Sequence, residues 1–141
     1  MTVSQLLSSK GSLVFSITAS ITVYEAIKIM GEKNIGALLV IENDVLKGIL
    51  SERDYARKVV LKDKTSRGTL VKDIMTENVI TITPNQTIEN CMELMSTKHI
   101  RHLPVCDSNK VVGIISISDI VTAIINSQKE TIEHLHSYIT S

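Results

Sequence analysis

Apolar positions along this chain change period several times, and the changes recur. Val23, Ala26, Ile27 and Met30 fall at the i, i+3, i+4, i+7 spacing of one buried helical face, and Ile88, Cys91, Met92 and Met95 repeat it. Each run follows a threonine, Thr22 or Thr87, whose hydroxyl suits the N-cap. Glu25 completes a capping box behind Thr22. A short β segment precedes each helix, Phe15 to Ile17 and Ile80 to Ile82, ending at Thr18 or Thr83. Two β runs follow it: Ala37 to Ile41 and Leu46 to Ser51 around the turn Glu42-Asn43-Asp44, then His102 to Cys106 and Val111 to Ser116 around Asp107-Ser108-Asn109. A second helix closes each unit, with Tyr55, Ala56, Val59 and Val60, or Ile120, Val121, Ile124 and Ile125, as its buried positions. Further on, Ile132, Leu135 and Ile139 recur at helical spacing with nothing left in the repeat to cover them. They predict a C-terminal helix with an exposed apolar stripe, and Val3, Leu6 and Leu7 read as a docking surface at the amino end.

The recurrence is a duplication. Shifted by 65 positions, Val14, Ile17, Thr18, Thr22 and Met30 fall on Val79, Ile82, Thr83, Thr87 and Met95, and Gly48, Ile49, Ser51 and Asp54 fall on Gly113, Ile114, Ser116 and Asp119. No gap is needed, and the period is too long for a simple solenoid. The expected division is a first unit over 1–68, including an amino-terminal segment and the polar linker Lys62 to Gly68, a second over 69–126, and a terminal helix over 127–141. The fold class is α/β in the α+β sense, two tandem β-α-β-β-α units.

Composition narrows the function. At 141 residues the chain can bury roughly 70% of its unfolded surface. With no Trp and one Phe, the core rests on Ile, Val, Leu and Met. Lys plus Arg balances Asp plus Glu at 15 each, which argues against broad binding to nucleic acid or anionic membrane. No apolar run reaches the roughly 18 residues of a span, and the amino terminus lacks a secretory pattern, so a cytoplasmic location is expected. Cys91 and Cys106 are too few for a disulfide framework and align with Ala26 and Ile41, so they read as small buried hydrophobes. The histidines show no zinc-ligand spacing with them, and no P-loop or nucleophile-elbow pattern occurs.

Gly-hydrophobic-hydrophobic-Ser-x-x-Asp stands at the last strand-to-helix turn of both units, as GILSERD (Gly48 to Asp54) and GIISISD (Gly113 to Asp119). With DIMTENVITITPNQTI (Asp73 to Ile88) and RHLPV (Arg101 to Val105), this tandem pattern resembles a pair of cystathionine-β-synthase-type (CBS) domains over about residues 10 to 126. The resemblance implies a stand-alone Bateman module with pseudo-twofold symmetry and two clefts between repeats. It implies an adenosine ligand, AMP first, with ADP, ATP, NAD(H) and S-adenosylmethionine as the others. It further implies a regulatory, non-catalytic role toward an associated protein, and a homodimer joined through helical faces.

The residues suit such a ligand. A strand-to-helix turn presents unpaired amides and the positive dipole end to phosphate, and Ser116 and Ser118 add hydroxyls. Asp119, acceptor-only when ionised, can take both hydrogens of a ribose diol. The same Ser-x-x-Asp spacing is a capping box, which stabilises a helix by about 1 kcal/mol without any ligand, and the two roles are compatible. In the first copy Ser51 and Asp54 keep these places, while Arg53 replaces Ser118 and serves either phosphate or a surface ion pair. By the resemblance, Arg101 and His102 reach phosphate; the alternative is a solvated helix end complementing its dipole. Protonation of His102 near its ordinary pKa of about 6.5 would then strengthen binding. For adenine, Ile80, Ile82, Pro104 and Val105 are expected beside Asp119, and Phe15, Ile17 and Val40 beside Asp54, with Thr18 and Thr83 lining the clefts. The other class of function left open is a ligand-independent, dimeric interaction scaffold using the exposed terminal stripes.

Overall fold

Each repeat is organised by an antiparallel hairpin whose turn is tighter than the sequence suggests. The structure is a computed structural model describing residues 1–140, the side chain of Thr140 excepted. In chain order it contains α1 (Val3–Lys10), β1 (Ser16–Ile17), α2 (Val23–Lys33), β2 (Ala37–Glu42), β3 (Val45–Ser51), α3 (Glu52–Tyr55), a π-helical turn (Ala56–Val60), α4 (Val71–Ile74), α5 (Ile88–Lys98), β4 (His102–Asp107), β5 (Lys110–Ser116) and α6 (Ile117–Thr140). The β2–β3 turn narrows to Asn43-Asp44 at φ 52° and 62°, and the β4–β5 turn to Ser108-Asn109 at 52° and 66°. Positive φ at both central residues gives the backbone twist that a two-residue hairpin needs, and Asn and Asp tolerate it.

β1 pairs in parallel with β2, giving the first repeat a sheet ordered β1-β2-β3. The second repeat keeps β4-β5, but the strand expected over Ile80 to Ile82 shrinks to one parallel bridge, Ile82 to Val105. The cause is Pro104. In the first copy the extra pair, Ser16 with Leu39, needs the Leu39 amide as donor. Pro104 holds the equivalent place and has no N–H.

The helices start as their caps dictate. The Thr22 and Thr87 hydroxyls accept from the Glu25 and Asn90 amides, and α2 and α5 end at Asn34 and His99 in the left-handed region. The reciprocal capping box expected at Thr22 is found instead at Thr2 with Gln5. The closing helices bury less than expected. Val59, Ile120 and Ala123 are buried, whereas Ala56, Val60, Val121 and Ile125 face outward. The outward residues are equivalent in the two copies, Ala56 with Val121 and Val60 with Ile125, so the same strip of each closing helix faces away from its core. Cys91 is buried and Cys106 half-buried, both as free thiols raised by burial.

Two cores form, and neither follows chain order. Val3, Leu6 and Leu7 of α1, read from sequence as an exposed surface, are buried among Ile82, Ile88, Cys91, Met95, Leu103 and Ile115 of the second repeat. Val71 and Ile74 of α4 are buried among Ile17, Val23, Met30, Leu38 and Leu50 of the first. Each repeat is therefore closed by the helix that precedes the other. The terminal stripe is exposed as expected, on the continuation of α6 at Ile132, Leu135 and Ile139.

Candidate functional site

The exchange of flanking helices sets the two repeats face to face, and two cavities open between them. The larger, about 570 Å³, takes the Ser51-to-Asp54 turn with Arg57 and Lys58 from the first repeat. From the second it takes Thr76, Asn78, Val79, Ile80 and the run His99 to His102. The smaller, about 380 Å³, takes Ser116, Ser118 and Asp119 with Phe15, Asn34, Ile35, Gly36, Ala37 and Lys10. Gly36, His102 and Ser118 border both.

This crossing corrects the expected pairing of parts. Ile80 lies with Asp54 rather than Asp119, and Phe15 with Asp119 rather than Asp54. Arg101 likewise shares its cavity with Asp54. Ile17, Ile82, Pro104, Val40 and Val105 line neither cavity. They are buried, because the faces of these strands that point inward supply the two cores. Thr18 and Thr83 also lie outside both linings. The Thr18 hydroxyl is within 3.3 Å of Ser20 Oγ, and the Thr83 amide donates to Gln86 Oε1.

The two turns cap their helices and face cavities at once. Ser51 N and Oγ both donate to Asp54 Oδ2, at 2.9 and 3.1 Å, while the Asp54 amide donates to Ser51 Oγ. Ser116 and Asp119 repeat the exchange, with Ser116 N at 2.8 Å from Asp119 Oδ2. The next amides are also engaged, Glu52 N to the Gly36 carbonyl and Ile117 N to that of Arg101. The expectation of several unpaired amides aimed at phosphate is thus corrected: the turn satisfies most of them itself. Any grip on an anion falls to side chains.

Each carboxylate also meets a lysine that the sequence reading missed. Lys58 Nζ lies 3.0 Å from Asp54 Oδ1 and donates to the Ile74 carbonyl. Lys10 Nζ lies 2.7 Å from Asp119 Oδ2 and donates to the Ile114 carbonyl. Burial alone would raise the Asp119 carboxyl, but the Lys10 hydrogen bond and charge and the Ser116 hydrogen bonds outweigh it, holding Asp119 below the usual range. Arg57 and Lys58 were findable, one helical turn beyond Asp54 on the same strip of surface. Lys10 was not, since nothing local links α1 to the second repeat.

Arg53 reaches across the larger cavity, Nη1 donating to the His99 carbonyl at 3.2 Å. Among the described residues, the side chains of Arg57 and Arg101 have neither ion pair nor hydrogen bond. His102 packs against Gly36, where an added Cβ would lie 3.6 Å from its Nε2. Burial pushes the His102 imidazole below its ordinary value; Asp119 and Glu52 pull it upward, while Arg101 and Lys10 push it further down. That corrects the expectation of an unperturbed histidine.

A family model for the CBS domain matches the chain twice, over residues 12–61 and 71–126. The chain belongs to the CBS-domain family. This CBS pair is 39% identical to the mitochondrial CBS domain-containing protein CBSX3 of Arabidopsis thaliana, over 98% of this chain and 71% of that one. It is similar to the crystal structure of the CBS domain NE2398, with a TM-score of 0.86 and 45% identity over 89% of this chain and 98% of the other. It is also similar to the CBS domain pair of protein MJ0100, solved in complex with 5′-methylthioadenosine and S-adenosyl-L-methionine. There the TM-score is 0.79 at 28% identity, covering 90% of this chain and 98% of that one. No helix among the described residues is long and apolar enough to cross a membrane.

Proposed function

We propose that this CBS pair is a non-catalytic regulatory module that binds an adenosine nucleotide between its repeats. The observation that carries the proposal is the composition of the larger cavity. Its lining combines the apolar side chains of Ile49, Val79 and Ile80, the carboxylate of Asp54, and Arg53, Arg57, Arg101 and His102. An apolar slot for a base, an acceptor for a ribose diol and cations for phosphate are the three things a nucleotide requires. Asp54 retains little free acceptor capacity, so the ribose takes the place of Lys58 on Oδ1 and releases that lysine toward the ligand. In the smaller cavity Ser116, Ser118 and Asp119 offer a second adenosine site, where Lys10 must leave Asp119 in the same way. The adenosine compounds bound by the related MJ0100 pair support the base and sugar parts of this reading. The module works as a homodimer on an associated protein, its ligand shifting the angle between repeats.

The test is a thermal shift of the whole chain with AMP, ADP, ATP, NADH and S-adenosylmethionine. A ligand present at 100 times its dissociation constant adds about 2.7 kcal/mol of stability. Asp54→Asn should cut the shift from any phosphate-bearing ligand. If all five compounds leave the melting temperature unmoved, the nucleotide reading is lost, and the exposed α6 stripe becomes the better guide to function.

A further inference from the structure

The two cavities differ in charge as well as in volume. The larger is lined by Arg53, Arg57, Lys58 and Arg101, with His99 and His102, against the carboxylates of Glu52 and Asp54. The smaller holds Lys10, Asp119 and the shared His102. Lys10 is already spent on Asp119, at 2.7 Å. Arg57 and Arg101 are not spent: among the described residues both face the larger cavity with no partner.

The duplication shows that this difference lies in the chosen residues. At the 65-position shift, Arg53, Arg57, Lys58 and Arg101 correspond to Ser118, Thr122, Ala123 and Gly36, while His99 and His102 correspond to Asn34 and Ala37. Every cation of the larger cavity has an uncharged counterpart, although the Ser-x-x-Asp turns are kept in both copies. The exposed Arg57 and Arg101 side chains leave their guanidinium forks open to an anion that enters the cavity. The terminal oxygens of a phosphate monoester all sit on one phosphorus, so they engage both guanidinium forks and the imidazole only where all three groups converge on it; a pyrophosphate spreads more terminal oxygens over two centres and meets groups on different parts of the lining.

We infer that the larger cavity selects a ligand with two or more linked phosphates over one with a single phosphate, and that the smaller cavity takes a phosphate-free adenosine compound. The inference rests on the nucleotide reading for the adenosine end alone. Arg57 and Arg101 are its specificity residues, with Arg53 held ready by the His99 carbonyl. The smaller cavity offers a polyphosphate Lys10 and no guanidinium, so it gains little from added phosphates.

Calorimetric titration of the full chain with adenosine, AMP, ADP, ATP and inorganic tripolyphosphate, each at low and high salt, tests this. Affinity should rise about tenfold or more from AMP to ADP, because each added charged hydrogen bond is worth about that factor. ADP binding should weaken steeply with salt, and adenosine binding should not. Arg57→Gln and Arg101→Gln should each lower ADP affinity about tenfold and leave adenosine binding unchanged. Both side chains are exposed and unpaired, so melting of the free variants should match the parent. Equal affinity for AMP and ATP, or an Arg57→Gln, Arg101→Gln double variant that binds ADP like the parent, overturns the selectivity and leaves the nucleotide reading intact. Tripolyphosphate binding as tightly as ATP, with no binding of adenosine, upholds the selectivity and overturns the nucleotide reading. Silence from all five compounds removes both.

Discussion

Gly48 and Gly113 occupy the same place in the two hairpins, and neither has a positive φ, so backbone freedom is not what they supply. They supply room. A Cβ on Gly48 would lie 2.8 Å from Met75 Sδ and 2.9 Å from the Thr76 carbonyl oxygen; on Gly113 it would lie 2.8 Å from Leu7 Cδ2. A leucine methyl can rotate aside, whereas a carbonyl bound into the Ile49–Thr76 bridge cannot. Gly48→Ala should therefore cost about 1–3 kcal/mol of overpacking, and Gly113→Ala less. Urea midpoints decide this, and a larger loss at Gly113 would contradict it. The glycines were readable in the sequence as letters of a motif. Their reason was not, because it lies in helices that dock from elsewhere in the chain. His102 carries a second residue-scale consequence. Its folded-state pKa is depressed, chiefly by burial, so between that value and about 6.5 the unfolded chain binds more protons and stability falls as the pH drops. Above about 6.5 the effect vanishes. His102→Gln should flatten that part of the stability profile, leaving the loss at lower pH that comes with protonating Asp119, whose folded pKa is also depressed. An unchanged slope between pH 5 and 6.5 would show that His102 titrates as in the unfolded chain.

The elements that sequence fixed well are those whose signals are local: α2 and α5 with their threonine caps and 3.6-residue periodicity, and the hairpins with their polar turns. The flanking helices were lost for a definable reason. α1 and α4 correspond at 68 positions, not 65: Val3 matches Val71, and Leu7 matches Met75. Three extra residues between α1 and β1 break the register in which the rest of the duplication was found. Once aligned, even the hydrogen bonds agree. Val3 N donates to the Gln86 carbonyl and Ser4 N to that of Pro84, as Val71 N donates to Ile21 and Lys72 N to Ala19. The two terminal elements should accordingly behave as opposites. Leu6 is buried in the second core, so Leu6→Ala should cost about 2–5 kcal/mol in urea unfolding. Residues 128–139 are exposed along α6, so truncation after Ser127 should leave the unfolding free energy of the monomer nearly unchanged. If the stripe of Ile132, Leu135 and Ile139 clamps the proposed homodimer, the same truncation should weaken self-association in sedimentation experiments. A full chain that sediments as a monomer at every concentration rules out the dimer.

At the scale of the molecule, the sequence named most residues of the candidate site but assigned them to the wrong partners. Ser51, Asp54, Arg101, His102, Ser116 and Asp119 all face a cavity. Which of them share one depends on how the repeats are set against each other, and no periodicity within a repeat encodes that. The crossed helices that determine it also govern how the molecule unfolds. The first repeat cannot close its core without Val71 and Ile74, and the second cannot close without Val3, Leu6 and Leu7. Opening either repeat therefore unseats a helix joined directly to the other, and the two should melt as one cooperative unit. Ile74→Ala removes side-chain volume from the first core alone and should cost about 2–5 kcal/mol. The loss should nevertheless appear equally in native-state hydrogen exchange at Leu38 and Leu50 of the first repeat and at Leu103 and Ile115 of the second. Leu6→Ala should give the mirror result, its volume missing from the second core and its cost read at all four amides. If either substitution weakens protection in one repeat and spares the other, the halves unfold separately, and the crossed helices join them without coupling them.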